Sequence, residues 1–98
     1  MNAEDRNKLA KAYIQDGVIC KTKYMFRLRI CRRNREKAVE LRNITRKITK
    51  SDALEVTSSY SYVEWYGRTA VRIINEILSS DLNDPKLDKL NIRMIMEF

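Results

Sequence analysis

The residue best suited to chemistry is Asp16, which stands directly before Gly17 where a helical pattern ends. If two copies of this helix pack side by side, their Asp16 carboxylates come together and repel each other. A divalent cation relieves that repulsion and takes hard oxygen ligands, which suits Mg²⁺, and beside a phosphate it can activate water. Asp16 is therefore a candidate metal-binding residue, the adjoining Gly17 is assigned to the same candidate metal site, and an ordinary turn at a helix end is the alternative.

Basic residues are concentrated in the middle of the chain. Residues 21–50 hold twelve Lys and Arg against two Glu, a local charge of +10, and the remainder sums to −3, which makes the net charge +7. This pattern is typical of a polyanion-binding protein, and a solvated basic face is the alternative. Because a basic β-ribbon fits the major groove of DNA, the candidate DNA contacts are Lys21, Lys23, Arg27, Arg29, Arg32 and Arg33.

The composition excludes several kinds of active site. The chain has no His, which rules out His-based zinc sites and Ser-His-Asp triads, and its two Gly leave no glycine-rich phosphate loop. Cys20 and Cys31 lack the spacing and the partners of a zinc site and are expected to be reduced. With a charged N-terminus and no long apolar run, the protein is expected to be intracellular and cytoplasmic, without a membrane or a small-molecule substrate.

Hydrophobic periodicity predicts the elements that position these residues. Asn2 favours a helix start, and Gly17 favours its end because glycine can adopt positive φ past the last turn. The next segment could be two strands with a tight turn near Lys21–Tyr24, or one long bent strand. The predicted order is a helix over Ala3–Gln15, this strand pair, a helix over Glu36–Thr49, strands over Ala53–Ser58 and Tyr60–Tyr66, a helix over Arg68–Ser80 and a short helix from Pro85 to about Leu90.

The first strand pair shows a period of two residues, which is typical of a half-buried sheet. Alternate residues form two sets of opposite parity, one mostly apolar and one basic. The first set is expected to face the core and contains Cys20, Thr22, Tyr24, Phe26, Leu28 and Ile30. The second is expected to form a single outward basic face and contains Lys21, Lys23, Arg27 and Arg29.

These elements predict an α+β fold of order αββαββα, with the helices on one side of an antiparallel sheet. One domain spans residues 1–98, with a core over about 7–78 and a C-terminal helix and tail over 79–98. The last eight residues could extend the final helix or form an edge strand. Because so short a chain buries little surface, a homodimer is expected through the apolar face of the first helix, formed by Leu9, Ala10, Ala12 and Tyr13.

The segment Leu9–Gly17, with the sequence LAKAYIQDG, resembles the nine-residue signature of the LAGLIDADG homing endonucleases. It matches at the first, second, eighth and ninth letters, and Lys11 stands where the family has a Gly. Later segments are similar to the family's second strand and middle helix over Tyr24–Leu41, and to its fourth strand, glycine break and third helix over Tyr62–Ile74. The likeness covers about residues 7–78.

The resemblance implies a LAGLIDADG-like fold and an intron-encoded, homodimeric endonuclease that hydrolyses both strands of a specific DNA site with Mg²⁺. In that family each chain supplies one acid from the signature, which corresponds to Asp16 here. Basic residues near the scissile phosphate correspond to Arg33 after the second strand and Arg68 at the third helix. Asp16, Arg33 and Arg68 are therefore the candidate catalytic residues.

Two other classes of function stay open. A nuclease-inactive DNA-binding regulator or an RNA maturase of the same fold is favoured by Lys11 and by the short first hairpin, whereas the retained Asp16 favours the enzyme. A small viral or plasmid protein that binds RNA or another protein is the third hypothesis, under which the likeness to the family is accidental.

Overall fold

Residues 1–49 and 61–90 are described by a computed structural model of the chain. They form an α+β fold in which three antiparallel strands pack against helices. The elements in chain order are α1 (Ala3–Asp16), β1 (Gly17–Lys21), β2 (Phe26–Cys31), α2 (Arg35–Thr49), β3 (Tyr62–Tyr66), α3 (Gly67–Leu78) and α4 (Pro85–Asp88). Within these residues, no helix has the length and apolar character needed to cross a membrane.

Helix α1 begins at its predicted residue because Asn2 caps it. The Asn2 side chain accepts a hydrogen bond from the Asp5 backbone N–H at 2.8 Å, which satisfies a donor that the first turn leaves free. Asp5 in turn accepts from Lys47 Nζ of α2 at 2.9 Å, and Arg6 Nε pairs with Glu76 Oε2 of α3 at 2.9 Å. These contacts tie the start of α1 to both α2 and α3.

Helix α1 ends at Asp16, and Gly17 is the first residue of β1, with φ −79° and ψ 142°. This extended conformation corrects the expectation of positive φ at Gly17. A close approach requires glycine there instead, because a Cβ would contact the Tyr13 ring and lie 2.7 Å from the Tyr13 carbonyl oxygen. Positive φ is found at Gly67, where a φ of 55° lets β3 turn into α3.

The sheet has the order β1-β2-β3, and both strand pairs are antiparallel. One face packs against α1 and α3. The side chains that β2 and β3 place on this face are fully buried, and they are Phe26, Leu28, Ile30, Val63 and Trp65. Burial of this apolar face is the main force that holds the helices on the sheet. The predicted α+β class with an antiparallel sheet is confirmed.

The outward basic face is composed differently from the predicted one. A four-residue turn joins β1 to β2, so that Cys20 pairs with Arg27 and Lys21 pairs with Phe26. Paired residues of an antiparallel ladder point to the same face, so even-numbered residues of β1 share a face with odd-numbered residues of β2. Lys21 therefore lies beside a buried Phe26 and not beside Arg27, while Lys23 lies in the turn. The prediction of one parity across the whole segment is wrong.

The later elements lie close to their predicted positions. Helices α2 and α3 each begin one residue earlier than predicted, and α3 ends two residues earlier. Asp84 caps α4 by accepting from the Lys86 backbone N–H at 2.8 Å, with Pro85 in the first helical position. The strand predicted over Ala53–Ser58 and the tail after Leu90 lie outside the described residues.

Candidate nucleic-acid interface

The face of the sheet turned away from the core carries a carboxylate between two arginines. Glu64 of β3 pairs with Arg29 of β2 in the ladder, and Arg29 Nε donates to Glu64 Oε1 at 2.6 Å. Arg27 Nε lies 3.7 Å from the same oxygen, and the Tyr66 hydroxyl donates to Glu64 Oε2 at 3.0 Å. The Glu64 side chain is only 11% exposed, so it has lost most of its water and depends on these donors.

This network sets the electrostatics of the outer face. The hydrogen bond to Glu64 raises the pKa of Arg29, and a hydrogen bond to the same carboxylate raises the pKa of Tyr66 above its ordinary value of 10.0. The Arg29 guanidinium carbon lies 4.4 Å from the centroid of the Tyr62 ring, which is a cation–π contact. Two arginines against one carboxylate leave the group with a charge of +1.

Arg32 and Arg33 follow β2 and lie beside the end of α1. Arg32 Nη1 is 3.9 Å from Asp16 Oδ2, which is an ion pair but too long for a hydrogen bond. The Asp16 side chain is 53% exposed, whereas that of Arg32 is 18% exposed. The two side chains border an open cleft of about 450 Å³. Its lining consists of Gln15, Asp16, Cys31, Arg32, Arg33 and Lys37.

Arg68 lies at the other end of the sheet from Asp16. Gly17, which follows Asp16, is level with Val63 across β2, whereas Arg68 comes after the far end of β3. Three residues along β3 and two strand spacings therefore separate the two places, a distance of more than ~10 Å. The predicted catalytic set is corrected accordingly: within one chain Arg33 lines the same cleft as Asp16, whereas Arg68 does not.

The apolar face of α1 lies inside the chain. The four residues predicted to form a dimer interface are each no more than 5% exposed, and they are Leu9, Ala10, Ala12 and Tyr13. They belong to the core, where α1 packs against α3 and the sheet. The exposed side of α1 carries Glu4, Lys8, Lys11 and Gln15 instead. The expectation of a dimer through the apolar face is corrected, because the chain's own core already occupies that face.

The cleft beside Asp16 does not fit a resident Mg²⁺ ion within one chain. Of the described residues that line it, Asp16 is the only carboxylate, and Arg32, Arg33 and Lys37 surround Asp16 with positive charge that repels a cation. Gly17 has no side-chain ligand, and its backbone N–H donates to a carbonyl of α1. Among residues 1–49 and 61–90, no three Cys, Asp or Glu side chains are grouped so that they could hold a metal ion.

Lys86 of α4 holds the end of α1 from which Asp16 projects. Its Nζ donates to the Tyr13 carbonyl at 2.9 Å and to the Ile14 carbonyl at 3.3 Å. It also lies 4.9 Å from the centroid of the Tyr13 ring, and burial raises the pKa of that ring's hydroxyl. A cation at a helix C-terminus adds hydrogen bonds to the carbonyls of the last turn and opposes the negative end of the dipole.

Sequence reasoning missed three participants in this surface. Glu64 could be identified as a partner of Arg29 only once the register between β2 and β3 was known. Lys37 was counted in the basic segment but was not placed beside Asp16, because the two lie on different helices. Nothing local connects Lys86 with α1, from which it is more than 70 residues away along the chain.

Comparison of the chain with protein-family models, with curated proteins and with solved structures gave no match. The resemblance to the LAGLIDADG family therefore rests on the nine-residue segment and on the order of the elements that follow it. The contacts and charges described above are the observations that bear on function.

Proposed function

We propose that the protein binds double-stranded DNA through the outer face of its sheet and the end of β2. The observation that carries the proposal is the pair Arg27 and Arg29, which Glu64 holds on the face turned away from the core. An antiparallel β-ribbon fits the major groove, where arginine can bind guanine through two hydrogen bonds and can also contact phosphates. Arg32 and Arg33 continue this line of positive charge past the strand end.

Glu64 makes the arginine pair better suited to reading bases than to general attraction. An arginine already held by a carboxylate loses less side-chain freedom when it binds, and its remaining N–H groups point in defined directions. Because Glu64 neutralises part of the charge of Arg27 and Arg29, the pair contributes little to the non-specific attraction of DNA. That attraction comes from cations at the ends of the hairpin, such as Lys23 in the turn and Arg33 after β2.

Fluorescence anisotropy with labelled duplex DNA, measured over a range of salt concentrations, tests this function. We expect log K to fall linearly with log salt for the wild-type protein. Arg33→Gln should lower the steepness of that line by about 1, because it removes about one phosphate contact. The matched control is Lys89→Gln, which changes an exposed lysine that lines none of the clefts described here.

Arg29→Gln tests the base-reading part of the proposal. On a preferred duplex, selected from a randomised library, it should cost about 1–3 kcal/mol of binding free energy, and on random DNA much less. Circular dichroism of the variant checks that the loss of one Glu64 partner leaves the fold intact. Equal binding of the wild type, Arg33→Gln and Arg29→Gln at every salt concentration would contradict DNA binding through this surface.

Cleavage of DNA is a second candidate function, and the exposure of Asp16 favours it. Asp16 is the last residue of α1, is 53% exposed, and shares a cleft with Arg33. A basic cleft with a carboxylate at its edge is a suitable place for a backbone phosphate. Under this proposal Mg²⁺ would need a second acid, so a second copy of the chain would have to supply its own Asp16 there.

Asp16→Asn separates the two candidate functions. For an endonuclease we expect wild-type nicking of DNA in Mg²⁺, loss of nicking in the variant, and unchanged binding. Sequence-specific binding without nicking by the wild type supports a DNA-binding regulator and ends the case for cleavage. Tighter binding to structured RNA than to any duplex DNA supports the maturase hypothesis and contradicts the DNA-binding proposal.

A further inference from the structure

A groove between α1 and α2 adjoins the cleft beside Asp16. It has a volume of about 340 Å³, and it lies between the exposed side of α1 and residues 37–44 of α2. Its polar lining consists of Lys8, Lys11, Gln15, Arg32, Lys37 and Glu40. Four cations and one carboxylate therefore face a space large enough for a small anion.

The cations of the groove differ in how far their charge is already balanced. Lys8 Nζ lies 3.6 Å from Glu4 Oε1 one turn earlier in α1, so part of its charge is neutralised. Lys11 and Lys37 make no ion pair with any described residue. They lie on different helices and line the same groove, so a single anion between the helices can contact both.

Arg32 supplies the second observation that points to an anion. Its Nη1 is buried and has no hydrogen-bond acceptor in the described part of the chain. A buried guanidinium N–H without an acceptor costs free energy, which an anionic oxygen would recover once the side chain turns that N–H toward the groove. Its backbone N–H is bonded to the Ser61 carbonyl, so the residue is fixed at the end of the sheet. Asp16, the carboxylate with which it forms an ion pair, lies too far away to accept a hydrogen bond.

We infer that this groove is a phosphate-binding site whose ligands are Lys11, Arg32 and Lys37. Phosphate oxygens accept strong, charge-assisted hydrogen bonds from ammonium and guanidinium groups, and a tetrahedral anion can meet three donors that converge from different elements. Gln15 adds a neutral donor beside them. The Glu40 carboxylate also lines the groove, and its negative charge disfavours a second anion beside it.

The inference rests on the proposed function for the source of the phosphate, which is the DNA backbone. Arg32 also lines a cleft of about 460 Å³ that contains Arg29 and Tyr62 on the outer face. The outer face and the groove therefore meet at Arg32. A backbone that crosses the outer face would continue past the end of β2 and into the groove between α1 and α2. Free phosphate would meet the same donors.

Titration with inorganic phosphate and with pyrophosphate, against chloride at equal ionic strength, tests the site without any DNA. We expect changes in the amide NMR signals of Lys11, Gln15 and Lys37. The double variant Lys11→Gln/Lys37→Gln should bind pyrophosphate about a hundredfold more weakly, which is about tenfold for the charge-assisted hydrogen bond of each lysine. Both lysines are exposed, so the variant should keep the fold, and Lys89→Gln is the control. Equal pyrophosphate affinity of the double variant and the wild type would overturn the inference.

DNA binding by the same double variant identifies the source of the phosphate. If the backbone enters the groove, the salt dependence of duplex binding should become less steep by about 2, with Lys89→Gln unchanged. Weaker pyrophosphate binding without any change in DNA binding supports the site and assigns it to free phosphate. If Arg33→Gln binds DNA as the wild type does while the double variant binds pyrophosphate more weakly, the proposed function is overturned and the phosphate site remains supported.

Discussion

Glu64 neutralises part of the positive charge on the outer face, and under the proposed function it decides how much of that charge can contact DNA. It pairs with Arg27 and Arg29 and accepts from Tyr66. Glu64→Gln should therefore raise affinity for random duplex DNA and steepen its salt dependence by about 1, because two arginines become free to contact phosphates. The measurement is anisotropy over the same salt range as for the wild type.

The same change should lower stability and specificity. Replacing a carboxylate that serves two arginines should reduce the free energy of unfolding by about 1 kcal/mol, measured by urea denaturation. The difference in affinity between a preferred duplex and random DNA should shrink, because the arginines are no longer oriented. Asp88→Asn, which removes an exposed carboxylate from α4, is the control. Weaker binding by Glu64→Gln to all DNA would contradict this account of the outer face.

Gly17 is required by contact and not by backbone conformation. Its φ of −79° suits any residue, but a Cβ would lie 2.7 Å from the Tyr13 carbonyl oxygen and against the Tyr13 ring. Gly17→Ala should therefore lower the free energy of unfolding by about 1–3 kcal/mol, as other overpacked sites do. Urea denaturation measures it.

Gly67→Ala is the comparison, since a Cβ there meets nothing within 4 Å and its cost arises from the φ of 55° alone. Replacement by Asn, which tolerates the left-handed region better than Ala, should restore part of the stability at Gly67 but none at Gly17. Recovery by Asn at Gly17 would mean that its backbone conformation is what requires glycine.

At the scale of elements, α1 is held at both ends by charged side chains of other helices. Arg6 pairs with Glu76 of α3 near its start, and Lys86 of α4 donates to two carbonyls of its last turn. Lys86→Met keeps the length of the side chain but removes these hydrogen bonds. It should lower the free energy of unfolding by about 1–2 kcal/mol, measured by thermal or urea denaturation.

Lys89→Met is the matched control, because Lys89 is exposed and its side chain makes no such contact within the described residues. Hydrogen exchange should also become faster in the last turn of α1, from which Asp16 projects, while the core strands stay protected. An equal stability loss in both variants would show that Lys86 contributes only general charge.

At the scale of the whole molecule, the apolar face of α1 serves the core of one chain. Leu9 is fully buried, so Leu9→Ala should cost about 2–5 kcal/mol of unfolding free energy. If Leu9 belongs to the core, the urea midpoint should not depend on protein concentration in either the wild type or the variant. If Leu9 instead lay in a dimer interface, the urea midpoint would rise with protein concentration.

Leu9→Met is a second variant for the case in which Leu9→Ala does not fold. This change conserves volume and should lower the free energy of unfolding by less than about 1.5 kcal/mol. Lys11→Ala, on the exposed side of the same helix, should change stability by no more than about 0.5 kcal/mol. Light scattering of the wild type at the same concentrations completes the test. A midpoint that rises with concentration in the wild type, and rises less in Leu9→Ala, would return these residues to a dimer interface.

The helices were predictable because their signals are local. Asn2 caps α1 through a residue three positions away, and Asp84 caps α4 through one two positions away. Amphipathic spacing likewise predicts both ends of α2 and of α3 to within two residues. The α+β class and the excess of basic residues in the middle of the chain also follow from composition and spacing.

The composition of the outer face could not be predicted, because it depends on pairing between distant residues. The length of one turn decides whether Lys21 or Cys20 stands beside Arg27, and a shift of one residue moves every side chain to the other face. Glu64 lies 35 residues from Arg29 along the chain and becomes its partner only through the ladder.

The site depends on tertiary structure for the same reason. Residue types and spacing determined the charge, the helices, the strand that ends at Tyr66 and the place of Asp16 at a helix end. Packing decided that the apolar face of α1 is core, that Arg33 lines the same cleft as Asp16 while Arg68 lies at the other end of the sheet, and that Lys86 holds the helix end. An apolar side chain is equally suited to a core or to an interface, and a charged side chain can pair with many partners. Only the fold decides which neighbours lie beside each of them.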